Sequence, residues 1–268
     1  MVYENVFWDA SWRLESGRFP SILAIGDSWF WYPFPGGSLL NQLGPLTAGR
    51  EHILYAVGNN GAEIFDYVHG KYAKSVRTAL NQLGSGLSAV FVSGGGNDFA
   101  GFNDLRPLLK EDCSGETTAE GCYRGGGATG TIAWLMRKTR ENYQLLLGQI
   151  FMAVPSFAAV FLHNYDYALP SGKGVFGAGG AWLKPALDDA AVREGLQSPC
   201  MEHLIDRFTT DVLEPIAAQD PDRIVVVDSR RTLDESDWAN ELHRKPRGFE
   251  KIAAECWYPE LWAQGLAS

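Results

Sequence analysis

Basic charge is in short supply in this chain. Lysine and arginine total 23 against 32 aspartates and glutamates, a net charge of −9, so there is no global positive field to gather nucleic acid or an anionic membrane surface. The expected partner is a small molecule, and nucleic acid is not expected as one. Long hydrophobic runs are missing too. The strongest, from Ile150 to Leu162, is broken by Pro155 and Ser156 and is too short for a transmembrane segment. The first twenty residues carry Glu4, Asp9 and Glu15 and no continuous apolar stretch, so they do not read as a secretory leader. Cytoplasmic residence is the resulting expectation, with a periplasmic or secreted location if a leader has been removed. The sequence says nothing about oligomeric state.

Cysteine is sparse, with Cys113, Cys122, Cys200 and Cys256 scattered over the chain and no CxxC pair or Cys/His cluster at zinc spacing. A disulfide scaffold and structural zinc are therefore not expected, and no metal or other cofactor is implied. Cys113 and Cys122 stand nine residues apart in a Gly/Thr/Glu-rich segment. They could close a small disulfide in an oxidising compartment or remain two free thiols in a reducing one.

What is present is the composition of a folded globular chain, 46% hydrophobic and 21% charged. Its 268 residues suit one large domain, residues 1–268, with insertions near 100–130 and 170–185. Short apolar or β-branched runs at Ser21 to Ile25, His52 to Val57, Ala89 to Val92, Ala158 to Leu162 and Arg223 to Val227 read as strands. Helical patterns lie between them, at Ala62 to Leu83, Thr131 to Met152, Asp188 to Gln219 (interrupted by Pro199 and Pro215) and Gly248 to Gln264. This alternation predicts an α/β fold: a three-layer α/β/α sandwich around a parallel sheet of about five strands, its runs apolar enough to be covered on both faces. The two insertions follow strands, so they belong at the strand C-terminal edge, as lids over a site or as plain surface segments.

Chemistry-bearing residues gather at that edge. The first predicted strand ends in Gly26-Asp27-Ser28, placing a hydroxyl where the chain leaves the sheet. The second runs into Gly58, whose lack of a side chain lets backbone approach a ligand. The third ends in Gly95-Gly96-Asn97-Asp98, and after the fifth come Asp237, Asn240, Glu241 and His243. Together these pieces make an acyl-transfer site: Ser28 as nucleophile, His243 as base, and the N–H groups of Ser28 and Gly58 with the Asn97 amide as an oxyanion hole.

The same four blocks, in this order and at these strand ends, resemble the SGNH/GDSL hydrolase family of serine esterases and lipases. The resemblance runs from about Ser21 to Ala253 and rests on Ser28 in Gly26-Asp27-Ser28, Gly58, Asn97 in Gly95-Gly96-Asn97-Asp98, and His243. It implies a flavodoxin-like sandwich, no metal, and hydrolysis of a carboxylic ester such as an acetyl or lipid ester. One position departs from the family pattern. The aspartate usually found three residues before the histidine is Asn240 here. Either Asn240 orients the imidazole without a charge, or Asp237 reaches it from six residues back, with Asp234 and Glu241 as lesser candidates.

Other readings stay beside this one. Asp27 and Asp98 suit structural hydrogen bonding in their turns. Trp29, Phe30, Trp31, Tyr32 and Phe34 suit either an acyl-binding wall or core packing. His163 rivals His243 as base, although a polar residue lining the pocket is the milder reading. His52, His69 and His203 suit surface or packing positions, and Arg244, Lys245 and Arg247 a solvated loop that could hold an anionic group. An acyltransferase on the same residues, a catalytically weak carbohydrate- or lipid-binding module, and a metal-dependent phosphoesterase using Asp27, Asn97, Asp98, His163 and His243 are the competing functions.

Overall fold

The computed structural model describes residues 5–9, 15–31, 37–175, 177–178 and 180–268. Its strands, numbered along the chain, are β1 (Val6–Phe7), β2 (Ile22–Gly26), β3 (Leu54–Gly58), β4 (Ala89–Ser93), β5 (Ala159–His163), β6 (Lys173–Gly174), β7 (Gly177–Ala178) and β8 (Ile224–Val227). Six of them form one sheet in the order β1-β3-β2-β4-β5-β8, while β6 and β7 make a separate antiparallel ribbon. Every pairing in the large sheet is parallel, so helices carry the chain back between strands. The five strands expected from apolar runs are β2, β3, β4, β5 and β8. The sixth, β1, is two residues long and too short to show as a run. Asn5 anchors it, its Nδ2 donating to the carbonyls of Gly44 at 2.8 Å and His52 at 3.1 Å.

All five residues of β2, β4 and β5 are buried, as a sheet covered on both faces requires. One helical layer contains Ile64–Val68, Ala73–Leu83, Ile132–Ala153 and Glu194–Phe208; the other contains Leu39–Ala48 and the C-terminal segment from Pro246 to Ala263. Ala73–Leu83 shows why such segments dock: Ala73, Val76, Ala79, Leu80 and Leu83 are buried on one stripe. Phe91 and Phe161 meet edge-on, with ring centroids 5.2 Å apart, and Trp257 closes over both.

Two helical expectations need correction. The stretch from Ala62 to Leu83 is two helices separated at residues 69–72. In the stretch from Asp188 to Gln219, Pro199 does not interrupt: it lies inside the Glu194–Phe208 helix. The amide it lacks would have bonded the carbonyl of Gly195, an exposed residue, so the loss is borne at the solvent face. The break comes instead near Ala191, whose φ is 53°.

The 100–130 insertion is a folded unit and not an open lid. It carries helical turns at Phe102–Leu105 and Ala119–Cys122 and a bridge between Leu109 and Tyr123. It buries Leu105, Leu108, Leu109, Cys113, Cys122 and Tyr123, and the Tyr123 hydroxyl donates to Cys200 O at 2.7 Å. The cysteines at 113 and 122 are unbridged free thiols; Cys113 donates to the Cys122 carbonyl at 3.3 Å. Among the described residues no helix is long and apolar enough to cross a membrane.

Counting β2 as the first of the five long strands, their order is 2-1-3-4-5. Connections from β2 run one way to β3 and then the other way to β4, so the switch of direction opens a crevice at the C-terminal ends of β2 and β4, where open α/β sheets bind ligands.

Candidate active site

Ser28 stands at that crevice. The Asp27 amide bonds the Ser93 carbonyl at 3.2 Å, keeping the chain between β2 and β4 as it leaves the sheet. The Asp27 carboxylate then shapes the turn: Oδ1 accepts the Trp29 amide at 3.0 Å and the Ser93 hydroxyl at 3.1 Å, and Oδ2 accepts the Tyr165 hydroxyl at 2.6 Å. Burial pushes the Asp27 carboxyl up to about 6 against these three bonds. Asp27 is thus a turn-forming residue, and Ser28 opens the short helix Ser28–Trp31 with 8% exposure.

Gly58 is the register partner of Gly26. Its φ is +122°, and a Cβ there would lie 2.1 Å from the Gly26 carbonyl oxygen, so only glycine fits this strand end. Asn97, beyond β4, donates through Nδ2 to the Ala62 carbonyl at 3.0 Å, tying the β4 turn to the segment after β3. Asp98 supports the same junction by accepting the Ile64 amide at 3.0 Å, and burial raises its carboxyl to about 8.

The histidine arrives on a tight turn. Trp238 bridges Arg244, and the amides of Ala239 and Asn240 bond the His243 carbonyl at 2.9 and 3.3 Å. Asn240 organises the turn through one atom: its Oδ1 accepts the Leu242 amide at 3.0 Å, the His243 amide at 2.8 Å and His243 Nδ1 at 3.1 Å. Convergence of two backbone donors fixes that atom as the oxygen. Nδ1 therefore carries the imidazole proton, and Nε2, 2.8 Å from Ser28 Oγ, is the acceptor for the hydroxyl proton. The three-residue spacing is what lets one side chain close the turn and orient the ring. Burial, and next the Arg244 charge, push His243 down to about 3, so the imidazole is neutral at neutral pH.

The choice between Asn240 and Asp237 falls geometrically to Asn240. Asp237 faces the other way, into a reciprocal cap with Asp234, and its carboxylate accepts the Asp234 amide at 3.1 Å. Its cationic neighbours are Arg247 and Lys251, each 4.0 Å away. Glu241 does not serve the imidazole either. Fully buried, it accepts four backbone amides: Gly172 and Lys184 on Oε1, both at 3.0 Å, and Trp182 and Leu183 on Oε2, at 2.6 and 2.8 Å. It thereby pins the 170–185 insertion, sets the Trp182 ring 5.8 Å from that of His243, and fixes Leu183 in the wall of the cleft. In the sequence Glu241 lies far from the glycine-rich 170–185 segment, and nothing local links the two.

His163 is neither a base nor a pocket residue. It is fully buried beneath Trp29, Tyr165 and Trp257, without a hydrogen-bond partner on either ring nitrogen among the described residues, and burial pushes it to about 3. Of the aromatic run, Trp29 lines the cleft, Phe30 is core and Trp31 packs edge-on against Trp8 at 5.2 Å. Tyr32 and Phe34 lie outside the described residues. Arg244 is no solvated loop residue; it is 1% exposed.

Beside Ser28 and Asn97 the cleft has an apolar wall of Phe99, Ala100, Ala168, Leu183, Met201 and Ile205, and Asp27, Asp166 and Arg244 also line it. Among the described residues, Ala100 is the one residue of the 100–130 insertion in that wall, and Leu183 the one residue of 170–185. Gly58 is not among the lining residues. No group of three His, Cys, Asp or Glu among the described residues could hold a metal ion.

No family model matches the sequence, and no curated protein does. Solved structures do match in fold. A lipase from a goat rumen metagenome shares 15% identity at a TM-score of 0.54, with 92% of this chain and 98% of that one covered. An inhibitor-bound aryl esterase from M. smegmatis is 12% identical at 0.53, covering 91% and 99%. An extracellular lipase from Streptomyces rimosus is 18% identical at 0.50, also covering 91% and 99%. The chain thus shares its α/β/α fold with lipase and esterase structures, and the four blocks that resemble the SGNH/GDSL hydrolases occupy the strand ends and the final turn of that fold.

Proposed function

We propose that this chain is a serine esterase that hydrolyses small carboxylic esters through an acyl-enzyme. The observation that carries the reading is the 2.8 Å contact between Ser28 Oγ and His243 Nε2, with Asn240 holding the other ring nitrogen in its protonated form. Ser28 Oγ attacks the ester carbonyl carbon while Nε2 takes the hydroxyl proton. The tetrahedral oxyanion is met by the Ser28 amide and by the Asn97 Nδ2 hydrogen not used on Ala62, with the Gly58 amide at the neighbouring strand end as the third donor. Collapse breaks the carbon–oxygen bond to the leaving alcohol, which takes the proton from Nε2. Water then repeats the sequence on the acyl-enzyme and restores Ser28.

The apolar wall of Phe99, Ala100, Ala168, Leu183, Met201 and Ile205 favours an aliphatic or aromatic acyl group over a polar one. The test is turnover of p-nitrophenyl acetate, butyrate and octanoate, with mass analysis of the peptide containing Ser28. Ser28→Ala and His243→Ala should each lose about 10³-fold or more in kcat, and the wild type should carry the acyl mass on Ser28. Wild-type turnover by Ser28→Ala would overturn the reading.

A further inference from the structure

The two loops that must meet at the Ser28–His243 contact are braced by the residues that follow each of them. Trp29 follows the nucleophile and Arg244 follows the base. The Arg244 guanidinium carbon stands 3.5 Å from the centroid of the Trp29 ring and 3.5 Å from that of Trp238, so the cation is held between two indole faces. Its Nη2 donates to the Asp166 carbonyl at 3.2 Å and its Nη1 to the Leu242 carbonyl, whereas Nε has no partner among the described residues. Among the described residues no carboxylate pairs with it directly.

A buried cation without a carboxylate partner is costly. Replacing it with an apolar side chain would be the cheaper way to fill the space, so its presence at this place calls for a use. Two geometric facts supply one. The indole planes belong to different segments, the Ser28 turn and the Trp238–Arg244 bridge, and a flat guanidinium can stack on both at once while a lysine ammonium cannot. The charge, moreover, sits one residue from an imidazole whose usual carboxylate partner is replaced by the neutral Asn240.

We propose that Arg244 is a positioning residue that holds the base loop against the nucleophile turn. This rests on His243 acting as the base of the proposed esterase. Two effects follow. Losing the flat cation loosens the Oγ to Nε2 contact, which lowers kcat with little effect on KM. Burial is the larger cause of the low His243 titration and the Arg244 charge the smaller, so losing the charge lets His243 protonate at higher pH without restoring its ordinary value. The groups facing His243 among the described residues are Ser28, Asn240 and Trp182, which are neutral, and Arg244. The groups facing Arg244 are Asp166 and Tyr165 from the segment after β5 and Asp27 from the β2 turn.

The experiment compares Arg244→Lys, Arg244→Met and Trp238→Leu with the wild type. Ester hydrolysis is measured against pH, and the His243 ring is followed by NMR in histidine-labelled protein, assigned with His243→Gln. Arg244→Met should lower kcat at least about tenfold with KM within about threefold, and raise the His243 titration by about one pH unit or more. Arg244→Lys should lose a similar factor in kcat yet leave that titration close to the wild type. Trp238→Leu, on the far side of the sandwich from Ser28, should lower kcat in the same direction, which keeps the brace testable if Arg244→Met fails to fold. Unchanged kcat in both Arg244→Lys and Trp238→Leu would overturn the brace, and an unmoved His243 titration in Arg244→Met would overturn the electrostatic role. If the wild type hydrolyses no ester, the esterase reading fails, while the NMR titration still decides whether Arg244 sets the state of His243.

Discussion

Asn240 Oδ1 lies 3.1 Å from His243 Nδ1, and the same oxygen accepts the backbone amides of Leu242 and His243. One neutral atom therefore forms the turn, selects the imidazole tautomer and aims Nε2 at Ser28. What it cannot do is stabilise the imidazolium by charge as a carboxylate does. The site is set up with good geometry and a weak electrostatic partner, next to an arginine that opposes protonation of the ring.

Asn240→Asp should keep the geometry and add the missing charge. The acid limb of kcat/KM should move up by about one pH unit or more, and kcat should rise by up to about tenfold. Asp237→Asn should leave kcat within about twofold and change stability by less than about 1 kcal/mol, because its amide oxygen can still accept the Asp234 amide. A pH–rate profile for each variant and urea unfolding of Asp237→Asn check both; loss of activity in Asp237→Asn would return that residue to the catalytic set.

Glu241→Gln should be damaging although the side chain never touches His243. The amide offers one acceptor oxygen where four backbone donors now converge, leaving buried N–H groups unpaired at a cost of about 2 to 4 kcal/mol. The expected signs are a lower urea midpoint, faster proteolysis within residues 170–185, and a raised KM as Leu183 leaves the cleft wall.

Gly58→Ala should fail for steric reasons. Its Cβ would stand 2.1 Å from the Gly26 oxygen at a φ of +122°, which shifts backbone directly before the nucleophile turn. A stability loss of about 3 kcal/mol or more is expected, together with lost activity, by thermal unfolding and ester turnover.

His163→Leu should make the protein more resistant to acid. An unfolded histidine takes up a proton near its ordinary 6.5, whereas buried His163 does so only near 3. Between those values the unfolded chain binds more protons, so this group lowers stability as pH falls. Asp27, raised to about 6, acts in the opposite sense because the folded state binds its proton first. Removing His163 should therefore raise stability at pH 4 relative to pH 7 by about 3 kcal/mol against the wild type, read from urea unfolding at both pH values. Equal acid sensitivity of the two proteins would contradict its buried neutral state.

The strands, the parallel α/β class and the strand-end position of Ser28, Gly58 and Asn97 were legible in the sequence because they are local: an apolar run marks a buried strand, and the residue after it lies at the sheet edge whatever the loops do. The edge strand Val6–Phe7 was not, since two residues make no pattern. The partner of His243 was open between Asn240 and Asp237 because both are near in sequence, and only the turn closed by Asn240 Oδ1 decides which side chain faces the ring. Glu241, His163 and Arg244 show the same limit more strongly. Each was read as a lesser carboxylate, a rival base or a solvated cation, whereas contacts with Trp182, Trp257 and Trp29 or their neighbours, far away in the chain, determine what each does. Composition and local pattern set where chemistry can occur; which side chains lose water and which partners they then meet is decided by packing between segments, and that is where the charge states and orientations of this site arise.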